Sequence, residues 1–360
     1  MRVLVVNGPN LDLLGRREPE TYGSQTLADL ETRVREWGSA MEVEVTCHQS
    51  NHEGEIIELI HDFDGEGIVL NPGAFTHTSH AIADAIRGVG TPVVETHISN
   101  VREREPWRAV SLIASASART VYGRGLVGYR DAIRHLVNRI ALPFETLRYG
   151  PHPDNIADLR VGGGDLVVLV HGGLWLHQFE RDTVESLAVD LTKRGFDTLN
   201  VEYRRLGDGG GWPGSPHDVL TLLDHLANLG RSRDRVVAVS HSAGAQLTAW
   251  AAERTASRID NHVMLSPLLD LASAVANGDV GAEECGRLLE AGAPATVVPT
   301  RVPSLCVHAA NDQVVPMERS RRLAEETGFE LVVADMDHFA LLDPTKPHWA
   351  DVVKVIEGTM

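Results

Sequence analysis

A serine placed between a β-branched run and a helical run is a candidate nucleophile, and this chain has one at Ser242. It sits in Ser240-His241-Ser242-Ala243-Gly244, after the run 236–239 and before the run 246–253. A hydroxyl attacks a carbonyl only with a base to take its proton and donors to receive the oxyanion. His338, in Asp337-His338-Phe339, supplies a base, and Asp312, in Ala310-Asn311-Asp312-Gln313, supplies a carboxylate to orient it. Nucleophile, acid and base in that order along the chain fit a Ser-Asp-His triad. Upstream, His171-Gly172-Gly173 follows a strand-like run, so backbone N–H groups of Gly172 and Gly173 can join that of Ala243 in an oxyanion hole. Ser240 takes the place of the usual first glycine of such a turn. His241 reads as unable to face the nucleophile beside it, and Asp335 and Asp337 read as surface groups. The chemistry this implies is acyl transfer.

A second cluster lies near the N-terminus. The segment Asn7-Gly8-Pro9-Asn10-Leu11-Asp12-Leu13-Leu14-Gly15-Arg16-Arg17-Glu18-Pro19-Glu20-Thr21-Tyr22-Gly23 is long for a connection and reads as a lid. Polar groups recur after later strand-like runs, in Gln49-Ser50-Asn51-His52-Glu53-Gly54, Asn71-Pro72-Gly73-Ala74 and His97-Ile98-Ser99-Asn100. Taken singly they mean little: a loop tyrosine is ordinarily filler, and Arg102, Arg104 and Arg108 form an ordinary solvated run. Their joint arrangement is what carries information.

The elements that must position these groups alternate. Strand-like runs at 3–6, 43–46, 68–70, 93–96 and 119–122 are separated by helix-like stretches at 27–37, 53–63, 77–87 and 129–137. This predicts a parallel sheet covered on both faces, with ligands beyond the carboxyl ends of its strands. In the second half, strand-like runs at 166–170, 199–203, 236–239, 262–265, 304–308 and 330–334 again alternate with helices. The expected division is a domain at 1–142, a short linker at 143–150 and a domain at 151–360.

The 360 residues suit two domains, and 43% apolar content is ordinary for a globular chain. A net charge of −17 disfavours nucleic acid and anionic membrane as partners. No apolar run is long enough to span a bilayer. The 3 cysteines, Cys47, Cys285 and Cys306, are widely spaced, which favours the cytoplasm over a disulfide framework. Residues 1–150 contain no lysine, so a Schiff-base mechanism is excluded there. No cluster has metal-ligand spacing, and no cofactor is expected.

The four polar blocks, in this order and spacing, resemble type II 3-dehydroquinate dehydratases over residues 1 to about 140. The resemblance implies a flavodoxin-like doubly wound domain that dehydrates 3-dehydroquinate to 3-dehydroshikimate by anti elimination through an enolate, without metal or cofactor. Its implied base is Tyr22. A free phenol titrates near ~10, so Arg17, on the same loop, is expected to supply the charge that activates it. Asn10 matches the group holding a water against the enolate, and His97 the general acid. Asn71, His77, Ile98, Ser99 and Arg108 match substrate contacts, with Arg108 on the carboxylate and Arg104 a second candidate there. Asp84 matches a residue that reaches a neighbouring subunit's site. The family's trimers assemble into dodecamers, so a homo-oligomer is expected. The absence of lysine agrees, since the unrelated type I enzymes use one.

Residues from about 147 onward resemble α/β-hydrolases of the esterase and arylformamidase group. His171-Gly172-Gly173-Leu174-Trp175 and Val201-Glu202-Tyr203-Arg204-Arg205 carry this resemblance. It implies the triad and fold and leaves the ester or amide substrate open; residues 274–300 are expected to cap the pocket. The leading reading is a bifunctional enzyme of the shikimate pathway or quinate catabolism. The alternatives are a dodecameric scaffold arraying hydrolases and an active dehydratase with an idle hydrolase domain. The fusion itself motivates an acylated quinate or shikimate as hydrolase substrate.

Overall fold

In the computed structural model, which describes residues 1–101, 104–108, 110–226 and 234–358, the chain forms two compact units, Met1–Ala141 and Leu142–Met360. The first is built on β1 (Arg2–Asn7), β2 (Glu44–Gln49), β3 (Gly67–Asn71), β4 (Val93–His97) and β5 (Arg119–Tyr122). They form one sheet in the order β2-β1-β3-β4-β5, parallel throughout. Successive side chains of a strand point to opposite faces. Accordingly Val3 and Val5 meet Leu30, Val34, Tyr129 and Ile133 from the helices Leu27–Ala40 and Val127–Ala141. Leu4 and Val6 meet Ile56, Ile60, Ile82 and Ile86 from the helices Glu53–Asp62 and His80–Gly88. This is the doubly wound arrangement expected from the alternation. The in-register pairs Asn7↔Gln49 and Asn7↔Asn71 set three polar side chains abreast at the carboxyl edge.

The helix Leu27–Ala40 starts with a capping box, in which Thr26 Oγ1 accepts from Asp29 N and the Asp29 carboxylate accepts from Thr26 N. The helix His80–Gly88 starts later than the periodicity predicted, because Ser79 caps it through Ile82 N and the preceding 73–77 turn is 3₁₀.

The second unit holds β6 (Glu145–Arg148), β7 (Ile156–Arg160), β8 (Leu166–Val170), β9 (Asp197–Val201), β10 (Val236–His241), β11 (Asn261–Leu265), β12 (Ser304–Ala309) and β13 (Glu330–Ala334). Their order is β13-β12-β11-β10-β8-β9-β7-β6, parallel from β13 to β9, with β7 and β6 antiparallel. Residues 143–150 were expected as a linker; instead they contain β6, an edge strand that pairs with β7. One face packs on the helices Glu185–Lys193 and Trp349–Glu357, the other on Gly214–His225 and Ala243–Ala252. The stretch 274–300 carries most of a helix pair, Leu271–Asn277 and Ala282–Glu290. No described helix is long and apolar enough to cross a membrane.

One close approach can be tested. A Cβ on Gly38 would lie 2.4 Å from Val45 Cγ2 and 2.9 Å from the Val43 carbonyl oxygen. Alanine ordinarily favours a helix over glycine by about 1 kcal/mol. Here overpacking dominates, and Gly38→Ala is expected to destabilise the fold by about 1–3 kcal/mol. Denaturant unfolding checks this, and an unchanged or raised midpoint contradicts it.

Candidate active sites

In the first unit, Asn7, Asn71 and His97 are the last residues of β1, β3 and β4. After β1 the chain passes close to the loop after β3, where a Cβ on Gly8 would lie 2.7 Å from the Pro72 backbone. Beyond these ends a pocket gathers Asn10, Arg17, Tyr22, Asn71, His77, His97, Ile98, Ser99, Arg104 and Arg108. Every site residue expected in this half is there except Asp84, which sits on the exposed side of the helix His80–Gly88. Arg102 lies outside the described residues.

The pocket floor is a hydrogen-bonded chain. Tyr129 donates its hydroxyl to Asn7 Oδ1 at 2.7 Å and accepts from Asn71 Nδ2 at 2.8 Å. Burial pushes the Tyr129 phenol well above its usual range, so it stays a donor. Asn71 is thereby oriented, its Oδ1 accepting from Gly73 N at 3.3 Å. Asn10, in the left-handed region at φ 66, is held through its amide by Asn51 Oδ1 at 2.8 Å.

His97 donates Nε2–H to Glu95 Oε1 at 2.8 Å. Glu95 is fully buried and also accepts from Ser111 Oγ and Thr120 Oγ1. A carboxylate only accepts, so the tautomer of His97 is fixed and Nδ1 is left for proton transfer. His77 donates Nδ1–H to the Val110 carbonyl at 2.7 Å, and its ring meets Trp107 edge-on. Burial lowers the His77 pKa and keeps the ring neutral. Trp107 also stacks under Arg108, whose guanidinium carbon lies 4.1 Å from the ring centroid.

Tyr22 ends a short helix, Pro19–Tyr22, inside the expected lid segment. Its hydroxyl oxygen accepts from Arg104 Nη1 at 2.5 Å, while Arg17 stands over the ring face at 4.8 Å. The sequence pointed to Arg17 as the activating charge; the hydroxyl itself is bonded by Arg104, and Arg17 is the flanking cation. Burial works against the Arg104 charge, but Tyr22, Glu105 and Glu18 outweigh it and raise its pKa. A guanidinium donating to a phenol oxygen stabilises negative charge there.

In the second unit, Ser242 lies at φ 52, ψ −121 between β10 and the helix Ala243–Ala252. A Cβ on Gly244 would meet the His171 carbonyl oxygen at 2.3 Å, and one on Gly172 would meet Ser242 Cβ at 2.7 Å. Only glycine lets these segments approach so closely. Ser240 is not in the turn at all: it pairs within β10, and its hydroxyl meets His262 Nε2 at 2.6 Å. Burial drives the His262 pKa down to about 3, leaving it a neutral partner.

The loop after β8 has positive φ at Gly173 (106), Leu174 (53) and Trp175 (58). For the two non-glycine residues this is strained backbone, which persists only when its surroundings enforce it. Trp175 is buried in the core, and His171 donates Nε2–H to Glu202 Oε1 at 3.0 Å and stacks on Tyr203. Glu202 is a buried carboxylate. Burial favours its neutral form, but Arg205, His171 and Arg181 hold its pKa far below the usual range. Among the described residues, the amides of Gly172, Gly173 and Ala243 have no hydrogen-bond partner.

Asp312 Oδ2 accepts from His338 Nδ1 at 2.7 Å, and Oδ1 accepts from the amides of Val314 and Val315, each at 2.8 Å. Burial favours the acid form of Asp312, yet His338, Ser266 and the Val315 amide bring its pKa from 3.8 to about 2. The Ser242 hydroxyl makes no hydrogen bond among the described residues, as is common before substrate tightens such a site. Asp335 and Asp337 are exposed. Glu95, Tyr129, Glu202 and Arg205 were not singled out as site residues; each is a polar group buried behind one.

Three family models match the chain. They are dehydroquinase class II over residues 1–137, serine hydrolase over 220–357 and BD-FAE over 161–270. The chain is 52% identical over 145 residues to a 3-dehydroquinate dehydratase of Marinomonas sp. (strain MWYL1), covering 38% of this chain and 97% of that protein. It is 50% identical over 136 residues to catabolic 3-dehydroquinase 1 of Neosartorya fischeri, covering 37% and 91%. In the second unit it is similar in fold to esterase B from Lactobacillus rhamnosis, with a TM-score of 0.53, 16% identity, and coverage of 64% and 89%.

The Asp312 shift predicts a pH dependence. Its folded pKa is depressed, so its contribution to stability is full above pH 3.8 and is lost as pH falls toward about 2. The stability difference between wild type and Asp312→Asn should therefore shrink across that window. A difference that stays constant on acidification contradicts it.

Proposed function

Since the chain belongs, through residues 1–137, to the class II dehydroquinase family, we propose that its first unit dehydrates 3-dehydroquinate to 3-dehydroshikimate. Tyr22, as phenolate, takes the proton next to the ketone. The electron pair moves to the carbonyl oxygen as an enolate, which Asn10 stabilises through a held water. Collapse of the enolate expels the hydroxyl, and His97, as an imidazolium paired with Glu95 through Nε2–H, gives its Nδ1 proton to it as it leaves as water. Arg108 holds the substrate carboxylate, with Asn71, His77, Ile98 and Ser99 around the ring hydroxyls. The observation that carries this reading is the Tyr22–Arg104 bond in one pocket with the Glu95-oriented His97.

The second unit acts as a serine hydrolase on an ester or amide. Ser242 attacks, His338 accepts and returns the proton, Asp312 orients His338, and the amides of Gly172, Gly173 and Ala243 bind the oxyanion. The chain is on this reading bifunctional. On the same reading the chain is a homo-oligomer in which Asp84 reaches a neighbouring subunit's site. The three free cysteines suit a cytoplasmic location.

Tyr22→Phe is expected to lower kcat for 3-dehydroquinate by about 10²–10⁴-fold while leaving p-nitrophenyl ester hydrolysis intact. Ser242→Ala should do the reverse. The assays are appearance of the conjugated enone and release of nitrophenolate. Dehydration surviving Tyr22→Phe would remove the first assignment, and ester hydrolysis surviving Ser242→Ala the second.

A further inference from the structure

The Ser242 hydroxyl makes no bond to His338 among the described residues, while a separate contact joins the segments that carry them. His241 makes it. As the last residue of β10, it precedes Ser242 directly. Its Nε2 lies 3.2 Å from the carbonyl oxygen of His338, and the two rings are 4.5 Å apart. A carbonyl only accepts, so the His241 proton is on Nε2 and Nδ1 carries a lone pair. That lone pair has no partner among the described residues, and it faces Gly172, where a Cβ would lie 2.9 Å away. The ring is fully buried. Burial, reinforced by His338, keeps it neutral, so it places no charge against the imidazolium that forms on His338 during turnover.

We propose that His241 is a positioning residue of the hydrolase site, tying the backbone of the base to the strand end that carries the nucleophile. This rests on reading Ser242, Asp312 and His338 as a triad. The donor at Nε2 is the essential atom. Glutamine places an amide N–H near that point, asparagine places one near Nδ1, and phenylalanine keeps the volume with no donor. The reporter is a fluorophosphonate probe: Ser242 Oγ bonds to phosphorus, fluoride leaves, and the hydroxyl proton passes to His338.

The full chain and its variants are labelled with this probe, with p-nitrophenyl acetate kinetics alongside. Near-ultraviolet circular dichroism, to which Trp175, Trp212, Trp250 and Trp349 of the second unit contribute, checks that this unit has folded. His241→Phe and His241→Asn should label about 10²-fold more slowly, and kcat should fall while KM changes less than about threefold. His241→Gln should recover to within about tenfold of wild type. Equal rates for His241→Gln and His241→Asn, or wild-type labelling of His241→Phe, overturn the proposal. If His241→Phe does not fold, the two amide variants decide alone. Unchanged labelling of Ser242→Ala sinks the triad itself, an outcome distinct from failure of the His241 role.

Discussion

A buried carboxylate must be paired, and in both units that requirement fixes a histidine at the carboxyl end of a parallel strand. Glu95 takes Nε2–H of His97 at 2.8 Å, Glu202 that of His171 at 3.0 Å, and Asp312 takes Nδ1–H of His338 at 2.7 Å. In His97 and His338 the bond settles a tautomer and a ring orientation, since the carboxylate can only accept; in His171 it orients the ring, whose Nδ1 also lies 2.7 Å from the Gly172 carbonyl oxygen. In His97 and His338 it leaves the other ring nitrogen for proton transfer. In His171 it holds the ring at the start of the strained loop 173–175. Removing any one carboxylate would leave a buried ring without its orienting partner.

The two sites differ in how they are assembled. The dehydratase pocket relies on register: Asn7, Gln49 and Asn71 are brought abreast because their strands pair in parallel, and Tyr129 ties two of them from below. Arg17 and Tyr22 are then supplied by the segment after β1, where Tyr22 ends the short helix Pro19–Tyr22. The hydrolase site relies on close approach, with Gly172 and Gly244 allowing β8 and β10 to end almost in contact.

Much of this was legible beforehand. The alternation of strand-like and helix-like runs predicts the parallel sheets, and short polar spacings such as His97-Ile98-Ser99 and Ser242-Ala243-Gly244 point to the candidate sites. β6 and β7 escaped because they lack an apolar pattern. β6 is Glu-Thr-Leu-Arg at an edge, and β7 buries Asp158 and Arg160, tolerated only because each is ion-paired, to Arg181 and Glu185. Glu95 and Tyr129 escaped for a different reason. Their function lies in contacts made far along the chain, as with Tyr129 and Asn7, 122 residues apart. Chain proximity favours Arg17 as the partner of Tyr22, whereas the fold brings Arg104 to its hydroxyl from 82 residues away. By spacing Ser240 reads as the first residue of the turn, but it lies within β10 and the turn begins two residues later.

The orienting role of buried carboxylates is tested most directly by Glu95→Gln in the dehydration of 3-dehydroquinate. Glutamine keeps the size and burial of Glu95 and removes the charge that holds His97. A loss in kcat on the order of 10²-fold, with KM changing much less and the fold intact, is the predicted result. Wild-type kcat in the folded variant would contradict it, because His97 would then need no buried carboxylate to act as the acid.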